Sequence, residues 1–392
     1  MITLPKPTAI PYGRQHITDE DIRAVVDTLK GDWLTQGPAV RQFEEAFAKY
    51  VDAPYAVAVN NGTAALHLAA MALGADHNSK VITTPITFAA SANAMRYCGS
   101  QVEFADIDPA TALIDIQSVW KKLQSAEKGT YAGMVLVDFA GRAVDLEAFR
   151  KLADEFGMWI IEDACHAPGG HFIDSLDRPQ KCGNGRFADL STFSFHPVKH
   201  IACGEGGMIT TRSRELYEKL LVLRTHGITK APEKLHENHG GWYYEMQQLG
   251  YNYRLTDIQC VLGLSQLSRA EEGLAKRRAI ALRYDEAFRD SDLQPLYTAD
   301  APGHAFHLYV IQCRERKELY QWLRAAGIYT QVHYIPLHQM PYYQSQNRTD
   351  EKYPHAEAYY DQCLSLPMYP SLTEDEQAYV IQKIKEFESR PS

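Results

Sequence analysis

The 392-residue sequence lacks the features of secreted, membrane-spanning or nucleic-acid-binding chains. Its seven cysteines are an odd number without a C-x-x-C pair, which is unlike a disulfide framework or a zinc site and favours a reducing compartment. No apolar run approaches the ~18 residues of a membrane span, and residues 1–7 show no apolar signal-peptide core. A net charge of −9 provides no basic surface for nucleic acid or anionic lipid. These absences predict a cytoplasmic protein that binds neither nucleic acid nor membrane.

Strand and helix patterns alternate through the first two thirds of the chain. Seven short, β-rich apolar segments predict strands at residues 55–59, 81–85, 101–106, 133–139, 158–163, 189–195 and 207–211. Helical patterns separate several of them, for example at residues 145–156. This alternation predicts an α/β domain with a mostly parallel seven-stranded sheet flanked by helices, whose active groups gather at the carboxyl ends of the strands.

The length of the chain favours two domains rather than one core. Residues 1–255 are predicted to form the large α/β domain, preceded by an N-terminal arm. Residues 256–392 are predicted to form a smaller α+β domain. In that part the patterns predict a long helix at residues 256–289, strands at 306–312 and 328–333, and helices at 317–326 and 373–387.

A lysine and an aspartate at strand ends carry the chemical interpretation. Lys199 follows a predicted strand that must end at Pro197, and a loop with three glycines comes after it. Asp163 ends an earlier buried strand. A lysine that forms a Schiff base and an aspartate that faces a ring nitrogen are the minimal set for pyridoxal 5'-phosphate (PLP). Taken singly, such a lysine is usually solvated and such an aspartate often caps a helix, so the pair in this order carries the hypothesis.

A second signal is the turn after the first strand of the sheet. Asn60-Asn61-Gly62-Thr63 leads from that strand into an alanine-rich helix. The free amide groups and the positive dipole end of a helix N-terminus form an anion site, which here suits a phosphate. Many α/β turns have this appearance without binding anything, so the turn supports the hypothesis only together with Lys199 and Asp163.

The motifs, taken together, resemble a known family over nearly the whole chain. They are Leu34-Thr35-Gln36-Gly37, Asn61-Gly62-Thr63-Ala64, Thr84-Pro85-x-Thr87-Phe88, Glu162-Asp163-Ala164-x-His166, Ser194-Phe195-x-x-x-Lys199, Gly204-Glu205-Gly206-Gly207, Gly250-Tyr251-Asn252-Tyr253-Arg254 and Ser365-Leu366-Pro367. This set resembles the DegT/DnrJ/EryC1/StrS sugar aminotransferases, and within them the branch that serves pseudaminic acid synthesis. The resemblance implies a PLP-dependent transferase type I fold and a homodimer with shared active sites.

The resemblance also implies roles for particular residues. Lys199 and Asp163 would be catalytic. The implied cofactor-binding residues are Lys199, Asp163, Gly62, Thr63, Phe88, His166, Ser194 and, from the second subunit, Asn252. The implied substrate-binding residues are Tyr12, Asp32, Trp33, Leu34, Thr35, Gly62, Ser194, Asn252, Gln331, Val332, His333 and Tyr334. Each has a plainer alternative: Phe88, Tyr12 and Trp33 as packing residues, His166 as a structural histidine, and Asn252 as a helix cap.

The implied reaction moves an amino group from L-glutamate, which leaves as 2-oxoglutarate, to C4 of a UDP-linked 4-keto-6-deoxy-N-acetylhexosamine. A different nucleotide-linked ketosugar, or a non-catalytic regulator with the same fold, are the alternatives. Three basic residues are candidates for the diphosphate: Arg224, Arg254 and Lys230. No metal is predicted, because His226, His236 and His239 lack a ligand spacing.

Overall fold

The computed structural model describes residues 9–346 and 351–390, so the expectation about residues 1–7 lies outside it. Its strands, in chain order, are β1 (Ile10–Pro11), β2 (Tyr55–Val59), β3 (Lys80–Thr83), β4 (Gln101–Phe104), β5 (Gly133–Val137), β6 (Trp159–Asp163), β7 (His171–Ile173), β8 (Pro179–Lys181), β9 (Leu190–Ser194), β10 (Gly207–Thr211), β11 (Ile228–Thr229), β12 (Glu245–Met246), β13 (Gln294–Pro295), β14 (Tyr309–Gln312), β15 (Ile328–Tyr329) and β16 (Cys363–Leu366).

The helices surround these strands. They are α1 (Asp19–Lys30), α2 (Pro38–Val51), α3 (Gly62–Ala72), α4 (Ala90–Tyr97), α5 (Ile116–Gln124), α6 (Leu146–Phe156), α7 (Arg214–Leu223), α8 (Asp257–Leu267), α9 (Ala270–Phe288), α10 (Arg316–Ala325), α11 (Pro341–Gln346), α12 (Pro354–Gln362) and α13 (Glu374–Glu388). Among the described residues, no helix combines the length and apolar character needed to cross a bilayer.

A seven-stranded sheet organises the first half of the chain, as the sequence predicts. Its order is β2-β10-β9-β6-β5-β3-β4. Only β10 runs against its neighbours, so the other six strands point the same way. The central strands are buried along most of their length, which explains their continuous apolar sequences. The carboxyl ends of β6 and β9 therefore lie side by side, with Asp163 opposite Thr192.

Helix α3 is buried on nearly all sides because its sequence is almost entirely apolar and small. It contacts β9 and β10 on one side and α4 on another. Its first turn is fixed by Asn61, whose side-chain Oδ1 accepts a hydrogen bond from the Ala64 N–H at 2.8 Å. The helix thus begins at a defined point beside the end of β9.

The last third of the chain contains an antiparallel sheet in the order β13-β14-β16, together with α10, α12 and α13. Backbone contacts join the N-terminal arm to this last third of the chain. Strand β1 runs parallel to β15, and the Met368 N–H donates to the Tyr12 carbonyl at 2.9 Å. Helix α8, in contrast, contacts α1 and α2. The division at residue 255 stays a prediction.

Three predicted elements differ from the structure. The helix predicted at 256–289 is two helices, because Arg269 leaves the helical region (φ −119°, ψ 18°) and its guanidinium binds Asp21 and the His16 carbonyl instead. The strand predicted at 306–312 begins only at Tyr309, since Phe306 has a left-handed φ of 47°. The strand predicted at 328–333 ends at Tyr329.

Candidate active site

Lys199 lies in a short turn that is fixed to the sheet on both sides. The turn begins at Pro197, which has no N–H to continue β9. The Lys199 N–H donates to the His196 carbonyl at 2.8 Å, and beyond it the Cys203 N–H donates to the Phe195 carbonyl at 2.9 Å. These bonds bring the chain back against the strand end. Lys199 is therefore held at the carboxyl edge of the sheet.

Burial sets the charge state of the Lys199 amine. It lowers the pKa of this group from 10.5 to about 8; the positive charge of Arg277 acts in the same direction, and Asp163 acts against it. At pH 7 about a tenth of such an amine is neutral. An amine that is present in both forms near neutral pH can take up and release a proton.

Asp163 is the last residue of β6, and its carboxylate is buried. Ser91, in the first turn of α4, donates its hydroxyl to Oδ2 at 2.6 Å. The Cys165 N–H donates to Oδ1 at 3.2 Å. Because each oxygen has a donor, the carboxylate cannot rotate freely. It is positioned to accept one more hydrogen bond from a charged partner.

Histidines surround the Lys199 amine. Its Nζ lies 3.4 Å from His307 Nε2, and the His307 ring lies 4.3 Å from that of His166. His166 Nδ1 accepts from the Ala140 N–H at 3.3 Å, so the neutral ring carries its proton on Nε2, which faces the Tyr334 hydroxyl at 3.3 Å. Burial, with the Lys199 charge, lowers the pKa of both histidines well below the usual range. Both rings are therefore neutral at pH 7.

The start of α3 forms an anion cradle beside the end of β9. The first intrahelical bond is donated by the Ala65 N–H, and Asn61 caps the Ala64 N–H, so the amides of Gly62 and Thr63 precede both. A Cβ added to Gly62 would stand 2.9 Å from the Ser194 Cβ. Only glycine fits this approach, which brings the helix N-terminus to the strand that leads to Lys199.

Four further predicted residues lie in the same cluster. The Tyr334 ring, which contacts His166, is 6.2 Å from that of Phe88 and 4.9 Å from that of His333. Tyr12, on the N-terminal arm, lies 5.1 Å from His333. Phe88 is 60% exposed, so it is not a core residue. The structure thus brings Tyr12, Phe88, His333 and Tyr334 into one aromatic cluster, which reaches Lys199 through His166 and His307.

Other predicted residues lie elsewhere on the surface of the single chain. Asn252 is exposed and pairs by its backbone with Thr225. The stretch 32–35 is exposed, and the Leu34 carbonyl accepts from the Asp257 N–H at the start of α8. Gln331 is exposed next to the half-buried Val332. Within the described ranges, no hydrogen bond or ring contact joins these side chains to the Lys199 cluster.

The structure also adds residues that the sequence interpretation missed. Ser91 could have been predicted from the sequence. It lies on the first turn of α4, four residues after Thr87 of the Thr84-Pro85-x-Thr87-Phe88 motif, and its hydroxyl contacts that of Thr87. His307 had no signal, since it lies in a segment interpreted as a strand. One diphosphate candidate has another use: Arg224 binds Glu44 at 2.5 Å and the Ala58 carbonyl at 2.7 Å. A buried pair of this kind leaves Arg224 unavailable to a diphosphate.

A second acidic group lies directly behind Asp163. Asp138, Glu162 and Cys182 are buried, and one possible ligand atom of each lies within 4.8 Å of the others. Burial, reinforced by the Glu162 charge, raises the pKa of Asp138 well above its usual range. Burial also raises the pKa of Glu162. Two carboxyl groups in such a place hold a proton between them, so we interpret the group as a proton-sharing pair.

These residues fit PLP on three observations. The Lys199 amine is partly neutral and has a single hydrogen-bonding partner, His307, among the described side chains. The amides of Gly62 and Thr63, which precede the first intrahelical bond of α3, suit a phosphate. The buried carboxylate of Asp163 has donors on both oxygens and suits a protonated ring nitrogen. The site offers an amine, an anion cradle and a counter-charge within one cluster.

Comparisons with known proteins agree with this assignment. The chain is 39% identical to the spore coat polysaccharide biosynthesis protein SpsC of Bacillus subtilis over 386 residues, or 96% of each chain. It is 36% identical to the UDP-4-amino-4,6-dideoxy-N-acetyl-beta-L-altrosamine transaminase of Campylobacter jejuni, over 93% of each. Its fold superposes on the aminotransferase PseC of Helicobacter pylori with a TM-score of 0.87 and 31% identity, covering 97% and 99% of the two chains.

The cofactor follows from a further structural neighbour. The sugar aminotransferase Spr1654 of Streptococcus pneumoniae superposes in its PLP form with a TM-score of 0.85 and 29% identity, covering 96% of this chain and 98% of that one. Fold and site therefore define a PLP-dependent aminotransferase of type I fold. The chain belongs to the DegT/DnrJ/EryC1/StrS aminotransferase family, which it matches over residues 15–385. It is a sugar aminotransferase, and the regulator alternative is no longer needed.

Proposed function

We propose that the enzyme transfers the amino group of L-glutamate to C4 of a UDP-linked 4-keto-6-deoxy-N-acetylhexosamine. The product would be UDP-4-amino-4,6-dideoxy-N-acetyl-β-L-altrosamine, a precursor of pseudaminic acid. The transaminase of C. jejuni and the fold of PseC support this choice of sugar. The observation that carries the transfer itself is the partly neutral Lys199 amine, held beside Asp163 and a neutral histidine pair.

In this proposal Lys199 holds the cofactor and afterwards carries a proton at its Nζ to and from the substrate carbon. Bound PLP supplies an electron sink that stabilises charge on that carbon. Asp163 keeps the ring nitrogen protonated, and its two donors fix it for that task. We assign the phosphate to Gly62, Thr63 and Ser194.

The remaining cofactor contacts are also proposed. The Phe88 ring is exposed and lies next to Tyr334. We propose that the Phe88 ring stacks on the ring of PLP. His166 Nε2 faces the Tyr334 hydroxyl at 3.3 Å, and we assign His166 to the hydroxyl of the cofactor ring. Asn252 of the partner subunit completes the phosphate site.

The sugar nucleotide would contact two segments and the N-terminal arm. Tyr334 contacts His166 and His333, and Tyr12 packs on His333, which supports a sugar site beside the Lys199 cluster. Gln331 and Val332 continue this segment outward. The exposed residues Asp32, Trp33, Leu34 and Thr35 would contact the nucleotide at a subunit boundary.

We propose that two copies form a homodimer with shared sites. Large apolar side chains that a single chain leaves more than half exposed support this: Trp33 at 58%, Leu249 at 70% and Trp242 at 75%. We also propose a cytoplasmic location. It is supported by the seven cysteines, all of which lie in the described residues and are free.

A second candidate substrate is another nucleotide-linked 4-keto-6-deoxysugar for a surface polysaccharide. The higher identity to the spore coat protein of B. subtilis favours it. The two candidates share the cofactor, the donor and the roles of Lys199 and Asp163. They differ only in the sugar and nucleotide that the outer segments accept.

The test has two stages. Addition of L-glutamate to the purified holoenzyme should abolish the visible absorbance of the lysine-bound cofactor, and only the correct ketosugar should restore it. Lys199→Ala should lower transamination by about 10³-fold or more, whereas Lys121→Ala, on the exposed side of α5, should leave it unchanged. Retained activity in Lys199→Ala would overturn the catalytic assignment. Equal rates with UDP-, dTDP- and GDP-linked ketosugars would overturn the narrow substrate.

A further inference from the structure

We propose that His307 is a positioning residue for Lys199: its Nε2 holds the lysine amine in place whenever that amine is not bonded to the cofactor. The inference rests on the proposed role of Lys199. It concerns the stages of a transamination in which the amino group resides on the cofactor and the lysine side chain is free. A free four-carbon side chain has many rotamers, so an anchor near its end keeps it within reach of the substrate carbon.

The backbone around His307 is held from two directions. The Leu308 N–H donates to the Ala140 carbonyl at 3.1 Å, and the Ala305 N–H donates to the Gly141 carbonyl at 2.8 Å. From the other side, the buried Arg277 donates Nη1 to the His307 carbonyl at 3.2 Å. The backbone of His307 is therefore fixed, and the flexible Lys199 side chain is the part that moves into contact with the His307 ring.

The residue before His307 has an unusual conformation. Phe306 has a φ of 47°, a left-handed backbone that bulky residues rarely adopt. The Phe306 N–H donates to His304 Nδ1 at 2.8 Å, and its carbonyl accepts from Arg277 at 3.1 Å, so this conformation is fixed. This conformation interrupts the strand that the sequence predicts at residues 306–312. His307, whose ring contacts the Lys199 amine, follows directly. Strain next to a proposed catalytic group indicates a positioned side chain.

The hydrogen bonds of the His307 ring point to the same role. The ring is buried, and Nε2 faces the Lys199 amine at 3.4 Å. Nδ1 is buried without a partner among the described residues. A buried imidazole with one unpaired nitrogen destabilises the fold relative to an apolar side chain of similar size. Among the described residues the ring has one hydrogen-bonding partner, Lys199, so packing against the neighbouring histidines does not by itself explain a histidine here.

The groups that face His307 keep it uncharged. They are Lys199 and His200 on one turn, His166 after β6, and Arg277 on α9. Burial, with the positive charges of Lys199 and Arg277, lowers the pKa of His307 well below its usual range. A neutral ring can accept from the Lys199 ammonium through Nε2, and in the other tautomer it can donate to the neutral amine. The same atom therefore holds Lys199 before and after it takes up a proton.

Two amide variants separate this role from packing. In His307→Gln the amide reaches the place of Nε2, so it can accept from and donate to Lys199. In His307→Asn the amide reaches only the place of Nδ1. His304→Asn is the matched control, because it alters a buried histidine of the same segment while its oxygen can still accept from the Phe306 N–H.

The readout is the labelling of Lys199 in the full-length chain freed of cofactor. An amine-reactive sulfonate is applied over a pH series, and labelled Lys199 is measured by mass spectrometry. We expect the midpoint in His307→Asn to fall by about one pH unit, because the hydrogen bond lost by the charged ammonium is stronger than the one lost by the neutral amine. His307→Gln and His304→Asn should keep the midpoint of the unchanged chain. A midpoint in His307→Asn equal to that of the unchanged chain would overturn the proposal.

A second measurement covers the case in which His307→Asn does not fold. In the unchanged chain, the ¹⁵N signals of His307 should move from an acceptor-type to a donor-type Nε2 with the midpoint at which Lys199 is labelled. If the ¹⁵N signals of His307 do not change at the pH at which Lys199 labelling has its midpoint, the positioning role is overturned. The catalytic role of Lys199 is judged separately, since only retained transamination in Lys199→Ala contradicts it.

Discussion

Replacement of Asp138 by asparagine is predicted to remove a pH dependence from the stability of the fold. Asp138 Oδ1 accepts from the Val144 N–H at 2.8 Å, and Glu162 Oε2 accepts from the Gly183 N–H at 2.9 Å. Among the described residues, the remaining oxygens, Asp138 Oδ2 and Glu162 Oε1, are buried without an assigned hydrogen-bond partner, although the nearby Ser191 hydroxyl lowers the pKa of Glu162. A proton on Asp138 lets it donate to Glu162. The amide of asparagine can make the same two contacts without a titrating proton.

The magnitude follows from proton linkage. The pKa of Asp138 is raised in the folded chain, mainly by burial. The contribution of protonated Asp138 to the stability of the fold is therefore complete below its ordinary pKa of 3.8, and it is lost as the pH rises toward the pKa of the folded state. Over that window the folded state binds one more proton than the unfolded state. The unchanged protein should therefore lose about 1.4 kcal/mol per pH unit relative to Asp138→Asn. Asp138→Ala should lose about 2–5 kcal/mol outright, because two buried partners become unpaired.

The assay is urea denaturation of the cofactor-free chain at several pH values between 5 and 7, followed by tryptophan fluorescence. The quantity of interest is the difference in free energy of unfolding between Asp138→Asn and the unchanged protein. A difference that grows with pH supports a protonated Asp138. A difference that stays constant across the series would refute it, since Asp138 would then be ionised in the folded state.

Two further predictions concern hydrogen bonds to other carboxylates. Ser91→Ala removes the 2.6 Å bond to Asp163 and should weaken PLP binding about tenfold in an absorbance titration, while Ser91→Thr keeps the hydroxyl and should bind normally; equal affinities would contradict this role. Burial would raise the pKa of Asp21, but the 2.5 Å bond to Arg269 and its other donors lower it to about 2. This stabilisation is present above pH 3.8 and is lost as pH falls toward 2, so Asp21→Asn should show a shallower loss of stability in acid. If both proteins lose stability equally as the pH falls, the pair of Asp21 and Arg269 contributes nothing to stability.

The sequence was sufficient for the sheet because its strands are buried on both faces. Such strands have short apolar sequences with clear ends, and their carboxyl ends must meet at one edge. Lys199 follows Pro197, and Asp163 ends its own strand, so both positions could be predicted locally. The glycine at the start of α3 could be predicted for the same reason.

The rest of the site depends on contacts that local patterns do not contain. His307 reaches Lys199 from 108 residues away, after a left-handed residue that periodicity cannot show. The break between α8 and α9 depends on the bond of Arg269 to Asp21, on a distant helix. Asn252 and residues 32–35 face outward on a single chain, so their proposed roles require a second copy.

The strand order has a consequence for how the protein is made. In the central sheet as the structure describes it, the edge strand β2 pairs with β10 alone. Because β10 emerges from the ribosome roughly 150 residues after β2, the first strand of this sheet cannot pair until the last one is synthesised. The segments that carry His307, His333 and Tyr334 come later still. At about 5–20 residues per second, on the order of ten seconds separate completion of the sheet from closure of the pocket around Lys199. The amine, the anion cradle and the counter-charge are thus synthesised together with the sheet, whereas the contacts of this site with His307 and Tyr334 can form only after synthesis of the last third of the chain.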